Sequence, residues 1–332
     1  MPSPSAGAHD APRRIVWTSR DVRRLLRVPG ERDDKRSRGV VALRTGSDAY
    51  PGAAVLGVEG AWRAGCGYVR YVGPRRAADL VLARRPETVT TGPEADAVRA
   101  DVWVIGSGTD SSTRADSETS ALRALLSGPA PVVVDAGALD LLPAADAPVI
   151  ATPHAGEFVR LRASLGLAEL SADALQDPSA RAEAAHETAV ALGGAVLLKG
   201  ATTLVADATA VIAVGAGTPW LATAGTGDVL GGVLGAIVAA DRAAGGTTSL
   251  AELAATAAWL HGVAGRIASR TGSASREGSE GSGRPIVALD VADALPAAIA
   301  GVIAADGHDV HHDPGARREP DEDHEETEEG RA

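Results

Sequence analysis

Residues 224–232 read Ala224-Gly225-Thr226-Gly227-Asp228-Val229-Leu230-Gly231-Gly232 and run straight into an apolar helical stretch, expected over Asp228 to Ala240. Glycines before a helix let the backbone approach an anion, the first-turn N–H groups point at it, and the positive end of the helix dipole favours negative charge. A carboxylate in such a hole, Asp228, suits a general base that takes a proton from a hydroxyl exchanging a phosphoryl group. Asp is also a favoured helix N-cap, so a purely capping role stands beside the catalytic one.

Outward from this stretch, short apolar runs alternate with helical patterns. Upstream, Ala195-Val196-Leu197-Leu198 reads as a strand stopping at Lys199-Gly200, followed by a hairpin of Thr203 to Ala206 and Ala210 to Val214. Further strands are expected at Gly39 to Leu43, Tyr68 to Val72, Val102 to Ile105 and Val132 to Val134, with a short run at Pro148 to Ala151. Helices are expected at Gly52 to Arg63, Ala182 to Leu192, Leu250 to Ile267 and Val291 to Ala304. This alternation predicts an α/β fold with a mainly parallel sheet covered on both faces, because a parallel connection needs a crossover. Ligands in such sheets gather at the carboxyl ends of the strands.

Several candidate residues sit just after expected strands. Gly106-Ser107-Gly108-Thr109 is a possible close-approach loop or a plain turn. In Thr152-Pro153-His154-Ala155-Gly156-Glu157, His154 is either a surface histidine or part of the ligand rim. Asp135 ends Val132-Val133-Val134 as a metal-directed carboxylate or a turn former. Only Lys35 and Lys199 among the 32 basic residues are lysines, which draws notice to Lys199 at its strand end. There is no Gly-x-x-x-x-Gly-Lys-Ser/Thr P-loop and no Gly-x-Ser-x-Gly elbow.

Composition sets the remaining bounds. The chain has 332 residues, 45% hydrophobic and 23% charged, in the ordinary globular range. One cysteine, Cys66, cannot form an internal bridge, and no segment resembles a secretory signal or membrane span, so a cytoplasmic protein with no membrane association is expected. Of the net charge of −11, residues 306–332 carry −8, leaving a nearly neutral body and no case for nucleic-acid binding. The expected organisation is a disordered N-terminal extension over 1–14, a domain over 15–305 and an acidic disordered tail over 306–332. Residues Ser273 to Arg284 read as a flexible loop. His308, His311 and His312 read as polar tail residues rather than a metal site.

Over about Ile15 to Ala300 the chain resembles the ADP-dependent NAD(P)H-hydrate dehydratases. The resemblance rests on Tyr50-Pro51-Gly52-Ala53-Ala54, Val133 to Leu139, Thr152-Pro153-His154-x-Gly156-Glu157-Phe158, Leu198-Lys199-Gly200 and Leu221 to Leu230. Leu260-His261-Gly262 and Ala288-Leu289-Asp290 fall in the family's order. It implies a ribokinase-like three-layer α/β/α fold and a hydro-lyase that uses ADP or ATP with Mg²⁺ to restore NADH or NADPH from the (S)-hydrate, releasing AMP and phosphate. By the same resemblance Ala53, Gly108, His154 and Asp228 would contact the hydrate, with Asp228 catalytic. Lys199, Gly200, Ala201, Thr202, Thr203 and Gly227 would hold the adenine nucleotide, in a homo-oligomer that the family makes a tetramer.

Several stretches depart from the family pattern. Arg44-Thr45-Gly46-Ser47 replaces small glycines and implies a bulkier or differently charged rim; Ser107 stands in a Gly-Pro-Gly loop, followed by Thr109-Asp110 where Leu-Gly is common; and Gly215-Ala216-Gly217-Thr218 lacks the usual Asn. Two other readings are carried: a kinase of the same fold acting on a vitamin-precursor alcohol, and a non-catalytic nucleotide-binding module whose acidic tail recruits a basic partner.

Overall fold

Strand residues point alternately to the two faces of a sheet, and both faces here are apolar, so the strands read as near-continuous hydrophobic runs. In the computed structural model of the protein, which describes residues 12–94, 98–270 and 283–305, these runs form a ten-stranded sheet. In chain order the strands are β1 (Arg13–Val16), β2 (Val40–Arg44), β3 (Tyr68–Val72), β4 (Val89–Thr91) and β5 (Val102–Ile105). They continue with β6 (Val132–Val134), β7 (Val149–Ala151), β8 (Ala195–Leu198), β9 (Thr203–Ala206) and β10 (Ala210–Val214). The order across the sheet is β1-β10-β9-β8-β7-β6-β5-β2-β3-β4, with only the β8–β9 and β9–β10 pairings antiparallel.

The helices are α1 (Ser19–Leu25), α2 (Gly52–Arg63), α3 (Arg75–Arg84), α4 (Asp116–Leu126) and α5 (Ala155–Ser164). They continue with α6 (Ala172–Gln176), α7 (Pro178–Leu192), α8 (Thr226–Ala243), α9 (Leu250–Arg270) and α10 (Ala288–Ala304), and a 3-10 helix occupies Ala136–Ala144. Val41, Leu43, Val102, Val104 and Leu197 pack with α2, α8, α9 and α10 on one face. Ala42, Trp103, Ile105, Val196 and Leu198 pack with α4, α5, α7 and the 3-10 helix on the other. The expected α/β/α architecture is what the chain adopts.

Two differences from the sequence reading have local causes. The expected N-terminal extension over 1–14 is cut short, because Arg13 and Arg14 are already in β1, a parallel edge partner of β10. Two arginines hide that strand from any hydrophobic pattern, yet an edge strand tolerates exposed charge. Helix α7 begins at Pro178 rather than Ala182, started by the Asp177 side chain accepting from the Ala180 N–H at 2.7 Å. The expected loop over 273–284 lies outside the described residues up to 282, and the acidic tail, with His308, His311 and His312, lies outside them altogether.

Candidate active site

The C-terminal edge of the parallel strands collects the candidate residues. Strand order changes direction between β5 and β2, and the loops after these two strands bring Gly46 and Gly108 together. The Gly46 N–H donates to the Ser107 carbonyl at 2.7 Å. Gly108, at φ +67°, packs so closely that a Cβ there would lie 2.4 Å from the Ala53 Cβ. Ala53 and Gly108 therefore form one wall.

Helix α8 enters this region because glycines bring it against α2. A Cβ at Gly232 would lie 2.0 Å from the Gly57 carbonyl oxygen. Its N-cap is Gly225 at φ +87°, and Asp228 is the third residue inside the helix. The capping role for Asp228 is thus taken by a glycine without a side chain. The N–H groups of Gly227 and Asp228 make no hydrogen bond among the described residues and remain donors for a ligand.

Burial, and then the neighbouring Asp135 charge, raise the Asp228 carboxyl to about 6, against the opposing pull of Lys199 and a hydrogen bond from Ser107. Asp135 accepts from Lys199 Nζ at 2.9 Å and from Thr152 Oγ1 at 2.9 Å, with the Ser107 hydroxyl 3.3 Å from its second oxygen. Lys199 also lies 3.9 Å from Glu157 Oε2. The four strand ends after β5, β6, β7 and β8 thus supply Ser107, Asp135, Thr152 and Lys199 to one polar cluster around Asp228.

Beside that cluster is a cavity of about 600 Å³ lined by Lys199, Gly200, Ala201, Thr203, Gly227 and His154, and also by apolar Leu221 and Ala258. Thr202, expected with this group, does not line it; its carbonyl turns to Arg181 at 2.9 Å. His154 caps α5, its Nδ1 accepting from the Gly156 and Glu157 N–H groups at 3.1 and 3.3 Å. That leaves Nε2 to carry the proton, 3.4 Å from Glu157 Oε1. On the floor of the cavity, the His261 Nε2–H donates to the Thr226 carbonyl at 2.9 Å, tying α9 to the first turn of α8. Burial lowers His261 to about 4, so it is a neutral positioning group.

Of the two alternatives for the rim at Arg44, bulk or altered charge, the structure shows bulk. The Arg44 guanidinium is buried, paired in two hydrogen bonds with Glu118 at 2.9 and 2.6 Å, and donates a third to the Pro93 carbonyl at 3.0 Å. It is bulky but neutralised, in the wall of a second cavity of about 580 Å³ that also reaches Gly46, Tyr50 and Thr109.

Ser107, Thr152, Glu157 and His261 join this cluster or line the cavity without a role read from sequence, and Asp135, read as a metal-directed carboxylate or a turn former, pairs with Lys199. For Ser107, Asp135 and Thr152 the position just after a strand was the available signal, whereas Glu157 and His261 lie inside helices α5 and α9. Among the described residues no cluster of three or more His, Cys, Asp or Glu side chains suits a metal ion, and no helix is long and apolar enough to cross a membrane.

Comparison with known proteins gives a consistent picture. A family model described as NAD(P)H-hydrate dehydratase matches residues 41–277. The bifunctional NAD(P)H-hydrate repair enzyme of Corynebacterium glutamicum is 39% identical over 299 residues, 82% of this chain and 49% of that protein. The ADP-dependent (S)-NAD(P)H-hydrate dehydratase of Cenarchaeum symbiosum is 32% identical over 295 residues, 83% of this chain and 93% of that one. This chain therefore spans about half the length of its bifunctional relatives and nearly all of a single-function one. The Bacillus subtilis ADP/ATP-dependent NAD(P)H-hydrate dehydratase, co-crystallised with ATP and Mg²⁺, superposes with a TM-score of 0.71 at 27% identity, covering 89% of this chain and 100% of that one. A ribokinase-like superfamily protein of Enterococcus faecalis shares the fold at a TM-score of 0.70 and 21% identity, covering 87% and 96%.

Proposed function

Since the chain belongs to the NAD(P)H-hydrate dehydratase family, we propose that it dehydrates the (S)-hydrate of NADH or NADPH at the expense of ADP, releasing AMP and phosphate. Hydroxide is a poor leaving group, so the ring hydroxyl is first phosphorylated. Asp228 takes the hydroxyl proton as the oxygen attacks the terminal phosphoryl of ADP, and AMP departs. The free N–H groups of Gly227 and Asp228 and the Lys199 ammonium receive the transferring negative charge. The ring nitrogen lone pair then expels phosphate, and loss of a proton from the neighbouring carbon restores the dihydropyridine.

The observation that carries this reading is a carboxylate, Asp228, in the first turn of the glycine-capped α8 with the Lys199 ammonium beside that turn, where burial raises the carboxyl to about 6. A base with that pKa is ionised at neutral pH yet still able to hold a proton. In the proposal, Ala53, Gly108, His154 and Asp228 face the hydrate, and Lys199, Gly200, Ala201, Thr203 and Gly227 face the nucleotide. Thr202 serves the nucleotide only through the backbone of its loop. Apolar Leu221 and Ala258 in the lining suit an adenine ring, and Lys199 suits phosphates.

Mg²⁺ fits these residues as a companion of the nucleotide phosphates rather than of a protein cage, because Asp135 offers a single carboxylate already shared with Lys199. Bound there it would neutralise phosphate charge. The proposal includes the cytoplasm, where ADP and reduced nicotinamide nucleotides meet, and a homotetramer, which light scattering of the purified protein tests. The activity test is incubation of the chain with purified hydrate, ADP and Mg²⁺. Recovery of reduced-nicotinamide absorbance with equimolar phosphate supports the reading, and a stable phosphate ester without that recovery favours the kinase.

A further inference from the structure

Arg181, near the start of α7, makes no ion pair among the described residues. Its guanidinium donates instead to three main-chain carbonyls of one segment: Thr202 at 2.9 Å, Lys199 at 3.1 Å and Leu198 at 3.4 Å. Burial lowers its pKa, and no neighbouring carboxylate opposes that effect. A partly desolvated cation without an acid partner costs stability unless its donors are satisfied, and here the carbonyls of the 199–203 loop satisfy them.

The loop conformation follows from that contact. A trans peptide sets a carbonyl and the following N–H on opposite sides of the plane. With the Lys199 carbonyl drawn to Arg181, the Gly200 N–H faces away from the guanidinium, and it has no hydrogen-bond partner among the described residues. Gly200 lines the cavity, as do Lys199 and Ala201. Only a glycine permits this arrangement, since a Cβ at Gly200 would lie 2.4 Å from Arg181 Nη2. The Lys199 ammonium, at the other end of the same residue, is aimed at Asp135 and lies close to Gly227.

We propose that Arg181 is a positioning residue for the nucleotide: it holds the 199–203 loop so that the Gly200 N–H and the Lys199 ammonium face the phosphates of a nucleoside diphosphate. Its own uncompensated charge adds to the attraction from behind the loop. This rests on the nucleotide-dependent reading above and assigns to that site a residue that does not line it.

The test is calorimetric titration of ADP with Mg²⁺ into the full chain, alongside steady-state turnover of the hydrate. Arg181→Gln is expected to weaken ADP binding about tenfold or more, with Arg181→Lys intermediate, the size expected for a lost charge-assisted contact. At saturating ADP the KM for hydrate is expected to stay within about threefold, because the wall of Ala53 and Gly108 is untouched, while any fall in kcat accompanies the weakened ADP binding. Gly200→Ala pushes the guanidinium off the loop without removing its charge, and it is expected to weaken ADP in the same direction. Circular dichroism checks each fold, and if Arg181→Gln does not fold, Arg181→Lys and Gly200→Ala carry the test. ADP affinity within twofold of wild type in the folded variants, or a fall in kcat at unchanged affinity, overturns the inference. A wild-type chain that binds neither ADP nor ATP overturns the functional reading itself.

Discussion

Lys199 Nζ and Asp135 Oδ1 lie 2.9 Å apart across the C-terminal edge of the sheet, although 64 residues separate them in the chain. They end strands β8 and β6, which flank β7. Burial does most to raise the Asp228 carboxyl, and the pair adds opposing pulls, Asp135 raising it further and Lys199 lowering it.

Replacing Asp228 by Asn is expected to cut turnover by roughly 10²–10⁴-fold, the usual worth of a general base, while ADP affinity stays within about twofold. Stability should move the other way. Asp228 holds its proton more tightly folded than unfolded, so wild-type stability falls as pH rises from about 4 to about 6 and stays at the lower level above that. The ionised burial costs on the order of 1–3 kcal/mol, and Asp228→Asn is expected to melt higher than wild type at pH 8 but not at pH 4. Calorimetric melts at the two pH values check this.

The dependence of kcat/KM for the hydrate on pH, at saturating ADP, is expected to fall about tenfold per unit below the Asp228 pKa of about 6. Lys199→Met should move that acid limb to higher pH, because the cation that favours ionised Asp228 is gone. Asp135→Asn should move it lower, because a like charge is gone. A limb that stays in place in both variants would assign the titration to another group.

How much of this was legible beforehand can be argued residue by residue. The apolar runs at 68–72, 102–105, 132–134 and 195–198 are strands as read, and Gly52–Arg63 is a helix with the bounds its pattern implied, because hydrophobic periodicity and backbone propensity agree there. Helices α3 and α4 were not recognised: each buries only two residues, Ala77 and Val81 in one, Leu122 and Leu126 in the other, too sparse a stripe to stand out. Asp228 and Lys199 were visible because each ends or begins an element. Bulk or altered charge at Arg44 stayed open in the sequence since its partner Glu118 lies 74 residues away, and no local pattern reports a long-range ion pair. Arg181 was hidden for the same reason, its targets being carbonyls brought near by packing.

Gly108→Ala is expected to damage hydrate binding selectively. The backbone sits at φ +67°, which an alanine adopts with strain, and its Cβ would meet Ala53 at 2.4 Å. A loss of about 1–3 kcal/mol in stability should accompany a raised KM for hydrate with ADP affinity retained. Equal losses for both ligands would mean that the two walls of the site move together.

Removing either partner of the Arg44–Glu118 pair is expected to destabilise the chain by roughly 1–3 kcal/mol, since Arg44 is buried and its donors would be left unmatched or its charge uncompensated. The double variant Arg44→Met with Glu118→Leu should recover part of that loss, so a double-mutant cycle in chemical denaturation measures a coupling. Additive losses would show that the pair contributes nothing as a pair.

The most direct measurement of the central claim is a single reaction followed at the reduced-nicotinamide absorbance with phosphate assayed in parallel. Purified chain, the (S)-hydrate, ADP and Mg²⁺ are expected to restore the absorbance with one phosphate and one AMP per turnover, and the Asp228→Asn protein is expected to do so roughly 10²–10⁴-fold more slowly. Full activity in Asp228→Asn, or a wild type that accumulates a phosphorylated product without restoring absorbance, would contradict the account.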